Sequence, residues 1–213
     1  MDMLGKEIEN RVIVKLEEYT PFDTADYPLL AGGDVLEEQK PIYSYVHQHL
    51  SEAANEMLLT LPLHRLNYKQ ASTSGAPDSK DNRTGSISLP GDYLRLHTLR
   101  MSGWVRPVHK VVRESDAEYA LQFSEWTRGT KQKPVVAESN DRLSYYSVDA
   151  GATHNVSSFL YIPRFDEKQE YDDQAAEAIA LHCARKVCEV FGITEQITIL
   201  TNEINSVLEN MRL

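Results

Sequence analysis

Seven histidines, two cysteines and adjacent acids such as Glu37-Glu38 and Asp172-Asp173 are the residues of this 213-residue chain whose chemistry could go beyond packing. A zinc site needs three or four converging ligands. His47 and His49 lie two apart on an expected helix, roughly 200° apart around its axis, so they cannot share one ion. His64, His97, His109, His154 and His182 are isolated, and neither H-E-x-x-H nor C-x-x-C occurs. His182 adjoins Cys183, but neighbouring helical positions point about 100° apart. Cys183 and Cys188, five apart on one helix, face different ways and cannot pair; they read as small buried hydrophobes in a reducing compartment. The pairs Glu37-Glu38 and Asp172-Asp173 fall at expected helix N-termini, where the helix dipole accounts for them; Asp172-Asp173 as a general acid and base is the alternative.

Other reactive patterns are missing. There is no G-x-x-x-x-G-K-[ST] and no G-x-G-x-x-G; Gly32-Gly33 and Gly129-Thr130-Lys131 read as turns. No G-x-S-x-G elbow is present, and the serines from Ser72 to Ser88 lie in sequence too flexible to hold a triad. Trp104 and Trp126 read as core or hairpin packing, with a ligand-stacking platform as the alternative. The expectation is a chain with no catalytic, cofactor-binding or metal-binding residue, no cofactor and no enzymatic activity.

Composition points the same way. The chain carries 32 acidic against 22 basic residues, a formal net charge of -10, with 41% hydrophobic and 25% charged residues. A sequence-independent nucleic-acid binder needs a basic face, and Arg95, Arg100, Arg106, Lys110 and Arg113 are instead spread along expected strands. MDMLGKEIEN lacks the apolar run of a signal peptide, and no stretch approaches the ~20 apolar residues of a membrane span. A soluble, intracellular product without membrane contact is expected.

Apolar spacing predicts the elements that would position these residues. Ile8, Val12, Leu16 and Tyr19 mark a helix over Gly5 to Tyr19, ended by Thr20-Pro21. Phe22 to Asp34 reads as an ordered connector. A second helix opens near Asp34 or Lys40, with Tyr43, Val46, Leu50, Ala53 and Met57 on one stripe; Leu58, Leu59 and Leu61 broaden it before Pro62. Lys69 to Ser88 reads as a flexible loop. Strands are expected over Leu89 to Met101, Val108 to Arg113, Pro134 to Glu138, Arg142 to Val148 and Ser158 to Ile162. In the first of these, Leu94, Leu96 and Thr98 should face one way and Arg95, His97 and Leu99 the other. Between the strands, Ser115 and Glu118 form a capping box on a short helix carrying Tyr119 and Phe123. A third long helix runs from Asp172 or Asp173 to Phe191, with Ala176, Ala180, Cys183, Val187 and Val190 in register, and Gly192 ends it. A fourth follows Thr194, with Ile197, Leu200, Ile204, Val207 and Met211 inward. The predicted fold is α+β: an antiparallel bundle of about four helices, 1-68 and 166-213, carrying a small antiparallel β-rich insertion, 69-165, between helices two and three.

The stretch SLPGDYLRLHTLRMSGWVRPVHKV, Ser88 to Val111, followed by the short capped helix and GTKQKPVV, Gly129 to Val136, resembles the β-region of phage head-to-tail adaptor proteins. These are also called head-completion, connector or neck-ring proteins. Two helices before this region and a helical pair after it extend the resemblance over most of the chain. It implies a structural virion protein made in the host cytoplasm and located at the neck, where head meets tail. It further implies a homo-oligomeric ring, commonly of twelve copies, below the portal protein. Such a ring extends the DNA channel, surrounds DNA without sequence-specific binding and docks tail or nozzle proteins. The surplus of acid suits a channel through which DNA must slide. Three other readings stay open: another virion interaction module such as a tail terminator, a hydrolase whose site assembles from scattered Asp, Glu and His, and an acidic DNA mimic.

Overall fold

A computed structural model describes residues 3–19, 41–78, 83–139, 141–149 and 152–212. Two units are resolved by their internal contacts: Met1–Asn67 with Phe165–Leu213, and Tyr68–Arg164. The connector expected over Phe22 to Asp34 lies outside the described residues, as does Glu37-Glu38.

In the first unit, α1 (Gly5–Tyr19), α2 (Pro41–Thr60) and the later helices α4 (Asp173–Phe191) and α5 (Thr194–Arg212) follow the apolar stripes closely. Ile8, Val12 and Leu16 of α1 are buried, as are Val46, Leu50, Ala53, Ala54, Met57 and Leu58 of α2. The centre of this unit is α4, which packs against α1, α2 and α5. It is more than an amphipathic helix. Ala175, Ala176, Ala178, Ile179, Ala180, Leu181, Cys183, Ala184, Val187 and Cys188 are all buried, so most of its circumference faces other helices. Five alanines and two cysteines allow that, because small side chains let three helices approach one axis. Val190, placed inward by its spacing, is instead half exposed near the helix end.

Both ends of α4 are closed by local chemistry. The Asp172 carboxylate accepts from the Gln174 and Ala175 backbone N–H groups at 3.0 and 3.4 Å. Gly192 adopts the left-handed conformation, φ 72°, with its N–H directed to the Cys188 and Glu189 carbonyls. On α5, Leu200, Ile204 and Met211 face inward. A two-stranded antiparallel pair, β1 (Met3–Leu4) with β9 (Glu170–Tyr171), completes the unit.

The second unit is built on two antiparallel sheets. One has the order β2 (Lys69–Gln70), β8 (Val156–Pro163), β5 (Tyr93–Met101); the other has the order β3 (Ala76–Pro77), β4 (Gly85–Ser88), β7 (Arg142–Tyr145), β6 (Val136–Ser139). Both contribute to one apolar core that includes Ile87, Leu96, Leu99, Met101, Leu143, Tyr145, Phe159 and Tyr161. Because β2 pairs with β8 through Lys69 opposite Tyr161, the segments that enter and leave this unit run side by side.

These observations correct the expected architecture. Among the described residues there are five helices, including the short α3 (Ala117–Leu121), and three antiparallel sheets of nine strands; a four-helix bundle with a small β insertion is overturned by this β content. The serine- and glycine-rich stretch from Lys69 to Ser88, expected to be a flexible loop, contains β2, β3 and β4. Its polar composition carries no strand signal; β4 forms because β7, more than fifty residues later, supplies the ladder. The expected strand Val108 to Arg113 is reduced to isolated bridges, Leu99 with Val108 and Val112 with Ala137. Strict alternation on β5 also fails. Register shifts at Tyr93/Arg95, Leu96/Thr98 and Arg100/Met101 bring Tyr93, Leu96, Leu99 and Met101 to the core, so Leu99 is buried with Leu96 and not opposite it.

An ion-pair cluster joins α2 to α4: Glu56 accepts from Lys186 Nζ at 2.7 Å and meets His182 Nε2 at 2.9 Å. The hydrogen bond from Lys186, then that from His182, holds the Glu56 carboxyl below the usual carboxylate range. A group with a lowered folded pKa adds stability above its unfolded pKa and loses it as pH falls through the folded value. Glu56→Gln is therefore expected to cost less than about 1 kcal/mol near neutrality, since the pair is half exposed and screened. The difference from wild type should shrink as pH falls through the acidic range in thermal melts across a pH series, because a protonated Glu56 also lacks the charge.

Candidate functional site

The residues with reactive potential do not gather into one site. His47 lies 3.5 Å from Glu9 and His49 lies 3.7 Å from Glu52. His64 sits in a 3-10 turn, Leu63–Arg65. His182 belongs to the Glu56 cluster, and His154 Nδ1 meets the Tyr145 hydroxyl at 2.6 Å. Asp172 caps α4 while Asp173 takes Arg11 at 2.8 Å, so this acid pair divides between two structural contacts. The Cys183 and Cys188 thiols are buried and free, and burial pushes them up to about 12 and about 11. One association escaped sequence reasoning. The bridge between Leu99 and Val108 brings His109 to His97, with His109 Nδ1 3.0 Å from the His97 carbonyl oxygen. Burial, then the neighbouring His109, lowers the His97 pKa. Among the described residues, no group of three or more His, Cys, Asp or Glu side chains could hold a metal ion.

The two tryptophans, read alike in sequence, part company. Trp104 is 2% exposed in the core of the second unit, and its Nε1–H donates to the Ser147 carbonyl at 3.1 Å. Trp126 is 94% exposed, which corrects the expectation that it packs inward. Phe123, three residues earlier, is 70% exposed, and Leu121 is also open to solvent. Tyr119 meets the Phe123 ring edge-on, 5.2 Å between centroids. An aromatic tip thus stands on α3 and the turn after it. The polar context S-E-W-T-R-G, which gives Trp126 no apolar neighbour within two positions, is the signal that could have marked it.

The tip is held from below by backbone and by two buried polar side chains. Thr127 Oγ1 donates to the Leu121 carbonyl at 2.7 Å and the Arg128 N–H to the Ser124 carbonyl at 3.0 Å, closing the turn around Trp126. Buried Gln122 donates from Nε2 to the Glu118 carbonyl and accepts at Oε1 from the Gly129 N–H, both at 2.9 Å. Ser147, the other buried polar side chain, accepts at Oγ from the Val135 N–H at 3.1 Å. The Val105 N–H reaches the Lys131 carbonyl at 2.9 Å. Few ladder hydrogen bonds stabilise this region, so these contacts do the positioning. The expected capping box does not form: Asp116 is the N-terminal flank of α3, and its side chain accepts from the Arg113 N–H at 2.8 Å. A short turn before the helix competes for that carboxylate.

Charge divides unevenly between the units. Tyr68–Arg164 holds 13 Lys and Arg against 10 Asp and Glu, net +3, while the remainder of the chain holds 9 against 22, net -13. The molecule is an α+β protein of two units, one strongly acidic, the other mildly basic and bearing an exposed aromatic tip. Compared with models of known protein families the chain matches none, and no curated protein matches it.

Two outcomes are expected. Trp104→Ala should cost about 3–5 kcal/mol, as large-to-small core changes do, whereas Trp126→Ala should stay within about 0.5 kcal/mol of wild type in thermal or urea melts. Similar losses in both variants would contradict the exposed setting of Trp126. At Gly129 a Cβ would meet Ser147 Oγ at 2.6 Å and the Val135 backbone nitrogen at 2.9 Å. Gly129→Ala should therefore cost about 1–3 kcal/mol and speed proteolysis between residues 121 and 135.

Proposed function

We propose that this chain is a structural adaptor of a phage neck, a non-enzymatic virion protein that assembles as a ring below the portal, extends the DNA channel and docks tail components. The observation that carries the reading is the aromatic tip. Leaving an indole and a phenyl ring in water on an ordered turn forfeits the burial free energy that these large side chains usually supply. Aromatic side chains placed in this way are typical anchors of protein–protein contacts, with tryptophan the most enriched at energetic hot spots. The resemblance of Ser88 to Val111 and Gly129 to Val136 to the adaptor β-region covers the segments that flank and support this tip. The acid-rich first unit supports the same reading, since an acidic surface repels phosphate and does not retain passing DNA.

The test is assembly. Purified full-length chain is mixed with the portal protein encoded beside it, and the mass of the product is measured. The expected result is a defined complex with several copies of this chain on each portal ring. A chain that stays unbound at micromolar concentrations, or a gene with no portal or capsid genes nearby, would overturn the proposal.

A further inference from the structure

Two imidazoles converge on a single hydroxyl at β5. His97 Nδ1 lies 2.9 Å and His109 Nδ1 3.1 Å from Thr98 Oγ1, and His109 Nδ1 is also 3.0 Å from the His97 carbonyl oxygen. A carbonyl only accepts, so the His109 Nδ1–H donates to it, and the Thr98 hydroxyl donates to His97 Nδ1. Every group in the cluster is then satisfied with both rings neutral. The register shift between Leu96 and Thr98 brings His97 and Thr98 to one side, both partly exposed, while Leu96 and Leu99 on either flank are buried. Tyr68 lies over the His97 ring, 4.8 Å between centroids. The cluster sits where a lightly fastened segment meets β5. Leu99 and Val108 exchange backbone hydrogen bonds of 2.9 and 2.8 Å, an isolated bridge without a ladder around it. The chain it fastens includes Trp104 and leads on to α3 and the aromatic tip.

We propose that His97 and His109 form a pH-sensitive clasp on this segment, closed while both rings are neutral and opened when acid charges them. A charged His97 carries an N–H at Nδ1 that meets Thr98 Oγ1, where the His109 N–H already points, and the hydroxyl proton loses its acceptor. Two cations then share one oxygen. The surroundings add positive charge. Arg95 acts on His97 from the same strand. Lys110 follows His109 and, in the register set by the Leu99–Val108 bridge, stands opposite His97. Tyr68 is the titratable group packed from the β2 side, and β8 adds no charged residue. The carboxylates of adjoining strands are engaged elsewhere. Asp92 accepts from Lys69 at 2.8 Å and from Tyr161 at 2.7 Å, and Glu138 lies beside Tyr93 and Arg113. Burial, then His109, then Arg95, lowers the His97 pKa from its ordinary 6.5. Such a histidine takes up its proton more readily once the clasp is open. The clasp therefore holds fully above pH 6.5 and weakens as the pH falls from there toward the folded value. This inference is independent of the adaptor reading, since it concerns the segment behind the tip whatever the tip binds.

Amide hydrogen exchange of the full-length chain, followed by NMR from about pH 7.5 to about pH 5, tests the clasp. Protection is expressed relative to the intrinsic exchange rate at each pH. The Leu99 and Val108 amides should lose about fivefold in protection across this range, the effect of like charges a few ångströms apart near water, while amides between β4 and β7 keep theirs. The loss should track the titration of the His97 and His109 ring signals in the same samples. In a chain carrying both His97→Gln and His109→Gln, which keeps polar side chains without a change of charge, protection of the two amides should stay flat with pH. Constant protection in the wild type would overturn the inference. So would a loss shared by the β4–β7 ladder, a midpoint away from the ring titration, or a pH dependence that persists in the double variant. Where the double variant fails to fold, the wild-type titration decides alone.

Discussion

The helical unit depends on how closely three helices can approach α4. A helix buried over most of its circumference cannot use large side chains on every face without forcing its neighbours apart. Here five of the ten buried positions are alanine and two are cysteine, leaving Ile179, Leu181 and Val187 to fill the wider gaps. The larger apolar side chains come from the surrounding helices: Ile8, Val12 and Leu16, Val46 and Leu50, Leu200 and Ile204. Asp172 and Gly192 set where this central helix begins and ends, and the Glu56–Lys186–His182 cluster ties α2 to it at the edge, where partial exposure keeps its contribution small.

This arrangement has a topological consequence. The first two helices lie before residue 68, and the helix that completes their core begins at Asp173, after about a hundred intervening residues. Joining such distant segments costs loop-closure entropy, although that cost rises only logarithmically with length. The intervening strands lower it further, because β2 and β8 are antiparallel neighbours that hold entry and exit together. An inserted unit of this kind can keep its own apolar core and carry an exposed feature without disturbing the helices.

Within that unit, a well-packed core supports a region with few regular hydrogen bonds. Trp104 and Trp126 are twenty-two residues apart and illustrate the division. The first spends its indole N–H on Ser147 and belongs to the apolar core; the second stands in solvent on a turn closed by Thr127 and Arg128. Gln122 and Ser147, buried polar side chains with partners in place, fasten the one region to the other. An ordered turn that presents aromatic rings avoids much of the entropy loss that a floppy one would suffer on binding. For that reason the placement of the tip favours a contact surface over accidental exposure.

Local chemistry in the sequence was sufficient to determine the long helices. The four-three spacing of apolar residues, Thr20-Pro21, Pro62, Asp172 and Gly192 place α1, α2, α4 and α5 within a few residues, because capping, proline stereochemistry and helical periodicity act over one or two turns. It also determined that Cys183 and Cys188 do not pair with each other, but it read Trp104 and Trp126 alike. Tertiary structure decided the rest, through interactions with no local trace. The strands of Lys69 to Ser88 exist because β7 and β8 arrive from far along the chain; the bulges of β5 reverse which side chains face inward; α4 is enclosed on three sides where periodicity showed only one stripe. His97 and His109 meet through the antiparallel bridge between Leu99 and Val108, which no apolar spacing announces. Trp126 is exposed on a turn closed by hydrogen bonds of Thr127 and Arg128. A residue's type sets how much it gains from burial, but only the surrounding fold decides whether there is somewhere to be buried.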